Sequence, residues 1–312
     1  MLRLIGRRLA ISIPVLFGVT VLVFLVLHLI PGDPAQILLF GSRPTPQQIQ
    51  QLRVQLGLDQ PLPVQYWLYL DRIFHGDFGQ SFITGRPIVE EIAARLPDTL
   101  ALTLAAMLVA VLIGMPIGIV GGVRPGSWAD RLGTGFAVLG VAVPYFWFAL
   151  ILILFFAVDL RILPSLGEGS WSAIILPAVS LGWGLAAIIA RLLRNNLVEI
   201  YQQAYMQVAR AKGLSQSMML YRHALKNALI PVVTILGLQF GNVLSGAVVV
   251  EVIFGRPGIG SYLVSAIQAK DIPAVQSVVL FITVIYIVIN FLVDFAYGFL
   301  DPRIRLAWTA SR

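Results

Sequence analysis

The sequence predicts an all-α, polytopic membrane protein with six transmembrane helices. Three observations carry that prediction. Of the 312 residues, 58% are hydrophobic and only 12% charged, with a mean hydropathy of +0.86, whereas soluble domains hold about 25% charged residues. Six apolar runs, at 9–30, 99–123, 132–158, 171–190, 228–250 and 274–293, approach the ~20 residues a helix needs to cross a bilayer. The basic residues also fall between alternate runs, as the positive-inside rule requires.

The first run follows Arg3, Arg7 and Arg8. It is too long for a secretory h-region, and "LIPGDP" after it lacks a small-residue cleavage pattern, so it reads as an uncleaved span (residues 1–30). Residues 31–98 form an extracytoplasmic segment. Pro46 suits a first helical turn, and Ile49, Leu52 and Leu56 follow it at helical spacing. "LGLDQPLP" breaks that helix, and "VQYWLYLDRIF" reads as a second short amphipathic helix. Its Tyr66, Trp67 and Tyr69 suit a membrane–water interface.

The five remaining runs make a core over residues 99–300. Gly114, Gly118 and Gly122 recur every fourth position, as do Gly237 and Gly241. That spacing puts small residues on one helix face and predicts close helix packing. Pro116, Pro144 and Pro177 are placed to kink spans. With the amino terminus inside, 14 of the 22 basic residues lie on the inner side, against Asp130, Glu199, Asp294 and Asp301. Both termini, including the tail 301–312, are therefore expected in the cytoplasm. Net charge is +7, but this placement answers to the bilayer rather than to nucleic acid.

The sequence offers little chemistry of its own. Its three lysines, Lys212, Lys226 and Lys270, include none in a phosphate-binding G-x-x-x-x-G-K-[ST] loop. "GWGLAA" at 182–187 fits the letter of a dinucleotide fingerprint but sits inside a span, without the strand that motif needs. His28, His75 and His223 lie in separate segments, and there is no cysteine, so no metal site is predicted. Span interiors are nearly free of ionisable groups, which disfavours a proton- or sodium-coupled carrier. An enzyme is not expected, and the energy source is expected on another chain.

The most polar inner segment is a cationic loop, 191–227. Arg191, Arg194, Arg210, Lys212, Arg222 and Lys226 hold it at the cytoplasmic face, where each cation is worth about 1 kcal/mol against anionic lipid. The second reading is protein docking. In "AYMQVARAKG" the small Ala204, Ala209 and Ala211 precede a glycine stop, which suits a protein cleft better than lipid. In the fifth run Gln239, Asn242 and Ser245 recur every third residue, either lining a hydrated pathway or bonding a neighbouring helix. Glu251 and Arg256 near its outer end form a gate or simply pair with each other.

The run "YQQAYMQVARAKGLSQSMMLYRHALKNALIPVV" closely resembles the EAA loop of the permease subunits of binding-protein-dependent ABC importers. Val208, Ala209 and Ala211 occupy the small-residue cluster, Gly213 matches the glycine, and His223, Asn227 and Pro231 match the tail. Gln207 stands where the motif's glutamate is placed. "LIPGDP", "LGLDQPLPVQYWLYLDRIFHGDFGQSF", "VVVEVIFGRPGIGSYLVSAI" and the terminal "LDPRIR" resemble the first permease of dipeptide and oligopeptide importers. The resemblance covers nearly the whole chain.

It implies a type I ABC importer permease fold in a bacterial-type inner membrane. It also implies di- or oligopeptide cargo, with nickel, glutathione or haem-like cargo as alternatives. A stand-alone secondary transporter or a structural scaffold are the readings from other classes. The implied partners are a homologous second permease, one or two ABC ATPase subunits or domains carrying ATP and Mg, an extracytoplasmic solute-binding protein and the lipid bilayer. No cofactor is implied in this chain. The implied ATPase contact is Tyr205, Val208, Ala209, Lys212 and Gly213.

Overall fold

The computed structural model describes residues 2–29, 45–55, 57–166 and 171–300. Among these the regular structure is helical, apart from one antiparallel bridge between Gln80 and Pro87. Most of "LIPGDP" and the tail 301–312 lie outside the described residues, as do residues 167–170.

By packing, the chain forms two units, Met1–Pro97 with Ser261–Val288, and Asp98–Gly260 with Ile289–Arg312. In the first, α1 (Leu2–Leu29) is followed by α2 (Pro46–Gln55) and α3 (Leu62–Phe74). Helix α2 starts on a reciprocal cap: the Gln48 amide N–H donates to Thr45 Oγ1 at 3.3 Å, and the Thr45 N–H donates to Gln48 Oε1 at 2.8 Å. Helix α3 corrects the interfacial reading of its tyrosines. Tyr66 meets Thr20 of α1 at 2.9 Å and packs edge-on against Phe24, while Tyr69 stacks near Phe24. Burial, then the neighbouring Tyr66, pushes the Tyr69 phenol up to about 12. Only Trp67, 70% exposed, keeps the position expected of an interfacial aromatic. Two tyrosines have a face of α1 to cover, and that contact outweighs an interfacial site.

In the same unit, buried Asp271 precedes α11 (Ile272–Leu300) and binds residues 190 positions away. It accepts from Ser81 Oγ at 2.5 Å and from the Phe82 N–H at 3.1 Å. Phe78 packs on Phe281, and Ser277 donates to the Phe78 carbonyl. Residues 77–87 are thereby fastened to α11 rather than left as a free loop.

The second unit is built around α7 (Ile175–Gln202), which follows a short 3₁₀ turn at Trp171–Ile174. Its small residues face α4 (Ile88–Val123). A Cβ on Gly114 would lie 2.5 Å from the Ala186 carbonyl oxygen. One on Gly118 would lie 2.8 Å from that of Ala190, and one on Gly122 would lie 2.6 Å from Leu197 Cβ. The expected glycine stripe is a helix–helix seam. Gly182, from the rejected dinucleotide pattern, meets the Ala106 carbonyl from the other side. Helix α4 runs unbroken past Pro116, and Pro177 falls in the first turn of α7, where proline is tolerated.

The predicted span 132–158 needs correction. It is two segments, α5 (Trp128–Ala142) and α6 (Tyr145–Leu152, continued as a π-helical turn Ile153–Asp159), bent by 107° at Pro144. Trp183 of α7 fills the angle, stacked on Phe148 at 4.2 Å and edge-on to Phe136 at 4.8 Å. Helix α7 also runs twelve residues beyond its predicted end at Ala190. Arg191 and Arg194 are accommodated there because Arg191 donates to the Ala137 carbonyl and Arg194 forms a two-pronged bond to buried Asp130.

Among the described residues, four helical stretches are long and apolar enough to cross a membrane: Ile88–Val123, Trp171–Gln202, Gln216–Ile253 and Ile272–Val293. The bent pair makes a fifth if it counts as one span. The predicted first span falls on the 28-residue helix α1, whose stretch Ala10–Leu25 is apolar.

Candidate functional site

Helix α7 ends where Gln203 turns to an extended conformation, φ −68° and ψ 148°. Helix α8 (Ala204–Ala211) begins at once. Its sequence alternates at helical period, and the two faces part company. Met206 and Ala209 are buried and join Leu197, Met219, Leu220 and Ala224 in or beside the core of the unit. Tyr205, Val208 and Lys212 point outward, with Val208 54% exposed. The Tyr205 hydroxyl accepts from Asn227 Nδ2 at 3.2 Å, which orients its ring on that face. Ala209, predicted as a contact residue, is 8% exposed and packs inward. It sits one step around the helix from Val208, on the flank shared with Met206.

Gly213 closes α8. Its N–H donates to the Arg210 carbonyl at 3.0 Å, and the Leu214 N–H donates to that of Ala209 at 3.3 Å. This paired pattern needs a left-handed residue at Gly213, and its φ is +76°. Ser215 then caps the next helix, accepting from the Met218 N–H at 3.3 Å. That helix, α9, runs Gln216–Ile253 through a π-helical turn at Met219–Ala224. The hairpin is a tight, hydrogen-bonded corner between two long helices.

On α9 the predicted polar stripe has an open side. Asn242 and Ser245 are exposed and Gln239 half-buried, with Asn242 Nδ2 donating to Gln239 Oε1. The opposite positions Val243, Leu244, Gly246 and Ala247 are buried.

At the outer end of α9, Glu251 is 1% exposed. Its Oε1 accepts from Thr99 Oγ1 at 2.6 Å, and its Oε2 accepts from the Gly260 N–H at 2.8 Å. Thr99 Oγ1 in turn accepts from the Ile259 N–H at 2.9 Å. Arg256 reaches Asp98 instead, Nη2 to Oδ1 at 3.5 Å. Thr99, Asp98, Gly258 and Gly260 were not singled out in the sequence. The only signal was the paired glycines of "PGIG", because the carboxylate's partner lies 152 residues earlier in the chain.

Residues 114–306 match the family model of the binding-protein-dependent transport system inner membrane component, and residues 1–103 match the model of its N-terminal part. The chain belongs to that family. This permease is 46% identical over 305 residues to the glutathione transport system permease protein GsiC of Salmonella paratyphi A, covering 98% of this chain and 99% of the relative. It is 44% identical to GsiC of Escherichia coli K12 over the same share. Among solved structures it superposes on inward-facing conformations of the MetNI methionine ABC transporter. One match has a TM-score of 0.56 at 20% identity, covering 69% of this chain and 98% of that one. An amino acid ABC transporter matches at a TM-score of 0.51 and 16% identity, over 69% of this chain and 94% of that one. The fold is that of a type I ABC importer permease. The permease is a multi-pass membrane subunit of an ABC importer and a transport component rather than an enzyme.

Proposed function

We propose that this permease forms, with a homologous second permease, the pathway of an ATP-driven importer of short peptides. Glutathione, itself a tripeptide, is the first cargo to test. Near-full-length similarity to glutathione permeases supports that cargo over larger oligopeptides, nickel or haem-like molecules. The observation that carries the ATP-driven reading is the two-faced helix α8. Its exposed face, Tyr205, Val208 and Lys212, suits an ATPase subunit or domain, which would carry the nucleotide and its Mg. Its buried face, Met206 and Ala209, ties it to α7 and α9, so a push on α8 moves both long helices as one body. Rigid rocking of that kind is what alternating access needs. The stripe Gln239, Asn242 and Ser245 on α9 would then line the route, and an extracytoplasmic binding protein would deliver cargo.

The test is uptake by the assembled complex in proteoliposomes. Labelled glutathione should accumulate with ATP inside and a loaded binding protein outside, and an uncoupler of the proton gradient should not stop it. Uptake that follows the proton gradient instead of ATP would point to a secondary transporter and overturn the reading.

This reading also fixes topology, with six spans in a bacterial-type inner membrane and both termini in the cytoplasm. Reporter fusions at Gln216 and Arg312 should read cytoplasmic, and one at Thr45 extracytoplasmic. An outside signal at Gln216 would place α8 on the wrong face for any ATPase.

A further inference from the structure

We propose that Glu251 is the fixed anchor of an extracytoplasmic gate whose moving contact is the ion pair Asp98–Arg256. Glu251 thus serves transport as a positioning residue that never meets cargo. This rests on the transport reading above.

The anchor is seen in how completely the carboxylate is used. Helix α10 (Ile259–Gln268) opens with two N–H groups that have no partner within the helix. Both are taken from outside it, Ile259 by the Thr99 hydroxyl of α4 and Gly260 by Glu251 of α9. Thr99 and Glu251 are themselves joined at 2.6 Å. Three helices are therefore joined at one buried point, and the Glu251 carboxylate faces the N-terminal end of α10. The backbone returns on the same residue, with the Arg256 N–H donating to the Glu251 carbonyl at 2.8 Å. The fit leaves no slack. A Cβ on Gly258 would land on the Glu251 carboxylate, and one on Gly260 would strike the Val248 backbone. A buried charge so fully bound is costly to release in every cycle.

Arg256 is the opposite case. It hangs from the loop between those anchor points and is itself buried, at 8% exposure. Its contact with Asp98 is long at 3.5 Å, and Asp98 is partly exposed. Among the described residues, the buried Arg256 Nε has no hydrogen-bond partner. Such a group gains from a rearrangement that offers a second acceptor. The loop base stays and the arginine moves, as a gate tooth on a fixed hinge.

The chain has no cysteine, so introduced thiols can be tethered selectively. Asp98→Cys with Arg256→Cys, joined by a short bismaleimide in the assembled complex, should import labelled glutathione about tenfold more slowly than the same variant treated with N-ethylmaleimide, while ATP hydrolysis continues. Equal uptake after the two treatments, or failure of the reagent to join the pair, overturns the gate. A second set tests the anchor. Thr99→Val and Glu251→Gln should lower cargo imported per ATP hydrolysed by roughly fivefold, and Thr99→Ser, which keeps the hydroxyl, should restore it. If uptake and hydrolysis fall together with the amount of assembled complex, the anchor is ordinary structure and its positioning role is overturned. An unmodified complex that imports nothing with ATP would refute the transport reading itself. One that imports, and is indifferent to the tether, refutes the gate alone.

Discussion

Gly114→Leu is expected to leave almost no folded permease in the membrane. The first added carbon alone would sit 2.5 Å from the Ala186 carbonyl oxygen and 2.9 Å from Ile189 Cβ. The nearer obstacle is main chain in the middle of α7, so it cannot swing aside as a flexible side chain would. Overpacking a well-fitted core costs about 1–3 kcal/mol, occasionally more, and leucine adds three further carbons to a site that rejects one. Each of those carbons adds to the cost, and the accumulated strain, set against a total stability of about 5–15 kcal/mol, is expected to open the seam between α4 and α7. Gly135→Leu is the matched control, because a Cβ at that position meets nothing within 4 Å. Fluorescent-fusion chromatography in detergent should show a monodisperse peak for Gly135→Leu and loss of it for Gly114→Leu. Equal peaks would mean that the two helices do not meet there.

Gly213→Gln should act on coupling and spare insertion. Gly213 reads from the sequence as a glycine stop, and within this chain a Cβ there meets nothing within 4 Å. The constraint is instead its φ of +76°, a left-handed conformation that costs most L-residues about 1–2 kcal/mol. That is small against the fold and large against one turn of helix. Losing the Arg210 and Ala209 carbonyl bonds would unpin the end of α8 and turn Tyr205, Val208 and Lys212 away from their common face. ATP-driven uptake is expected to fall about tenfold or more at unchanged expression, with ATP hydrolysis less affected. Asparagine tolerates the left-handed region better, so Gly213→Asn should retain most uptake. Wild-type uptake by Gly213→Gln would sink the idea, and equal loss in both variants would point to side-chain size rather than backbone conformation.

The contrast between these two glycines shows what a sequence carries legibly. A four-residue repeat at 114, 118 and 122 announces a seam because helical period alone puts those positions on one face. A glycine after "VARAK" announces a helix end for the same local reason. What was not legible depended on residues far away. Pro144 marked a bend in 132–158, but its 107° depends on Trp183, Phe136 and Phe148 packing in the angle. Helix α7 passes Ala190 because Asp130, distant in sequence, neutralises Arg194. Ala209 looked like a contact residue until α8 had a floor to pack on. Glu251 was visible as an acid near a span end, but its partner Thr99 was not, and Arg256 turned to Asp98 rather than to its near neighbour.

The bend at Pro144 also bears on how the chain is made. Helix α5 has 15 residues, a rise of about 22 Å, and the segment Tyr145–Asp159 is no longer. Neither reaches across the ~30 Å hydrocarbon layer by itself. A translocon releasing helices sideways, in order of synthesis, would meet here two half-length pieces with nothing yet to lean on. Their support, the Trp183 face of α7, leaves the ribosome only later. The stretch 128–159 thus gains the packing of its angle only once α7 has been made.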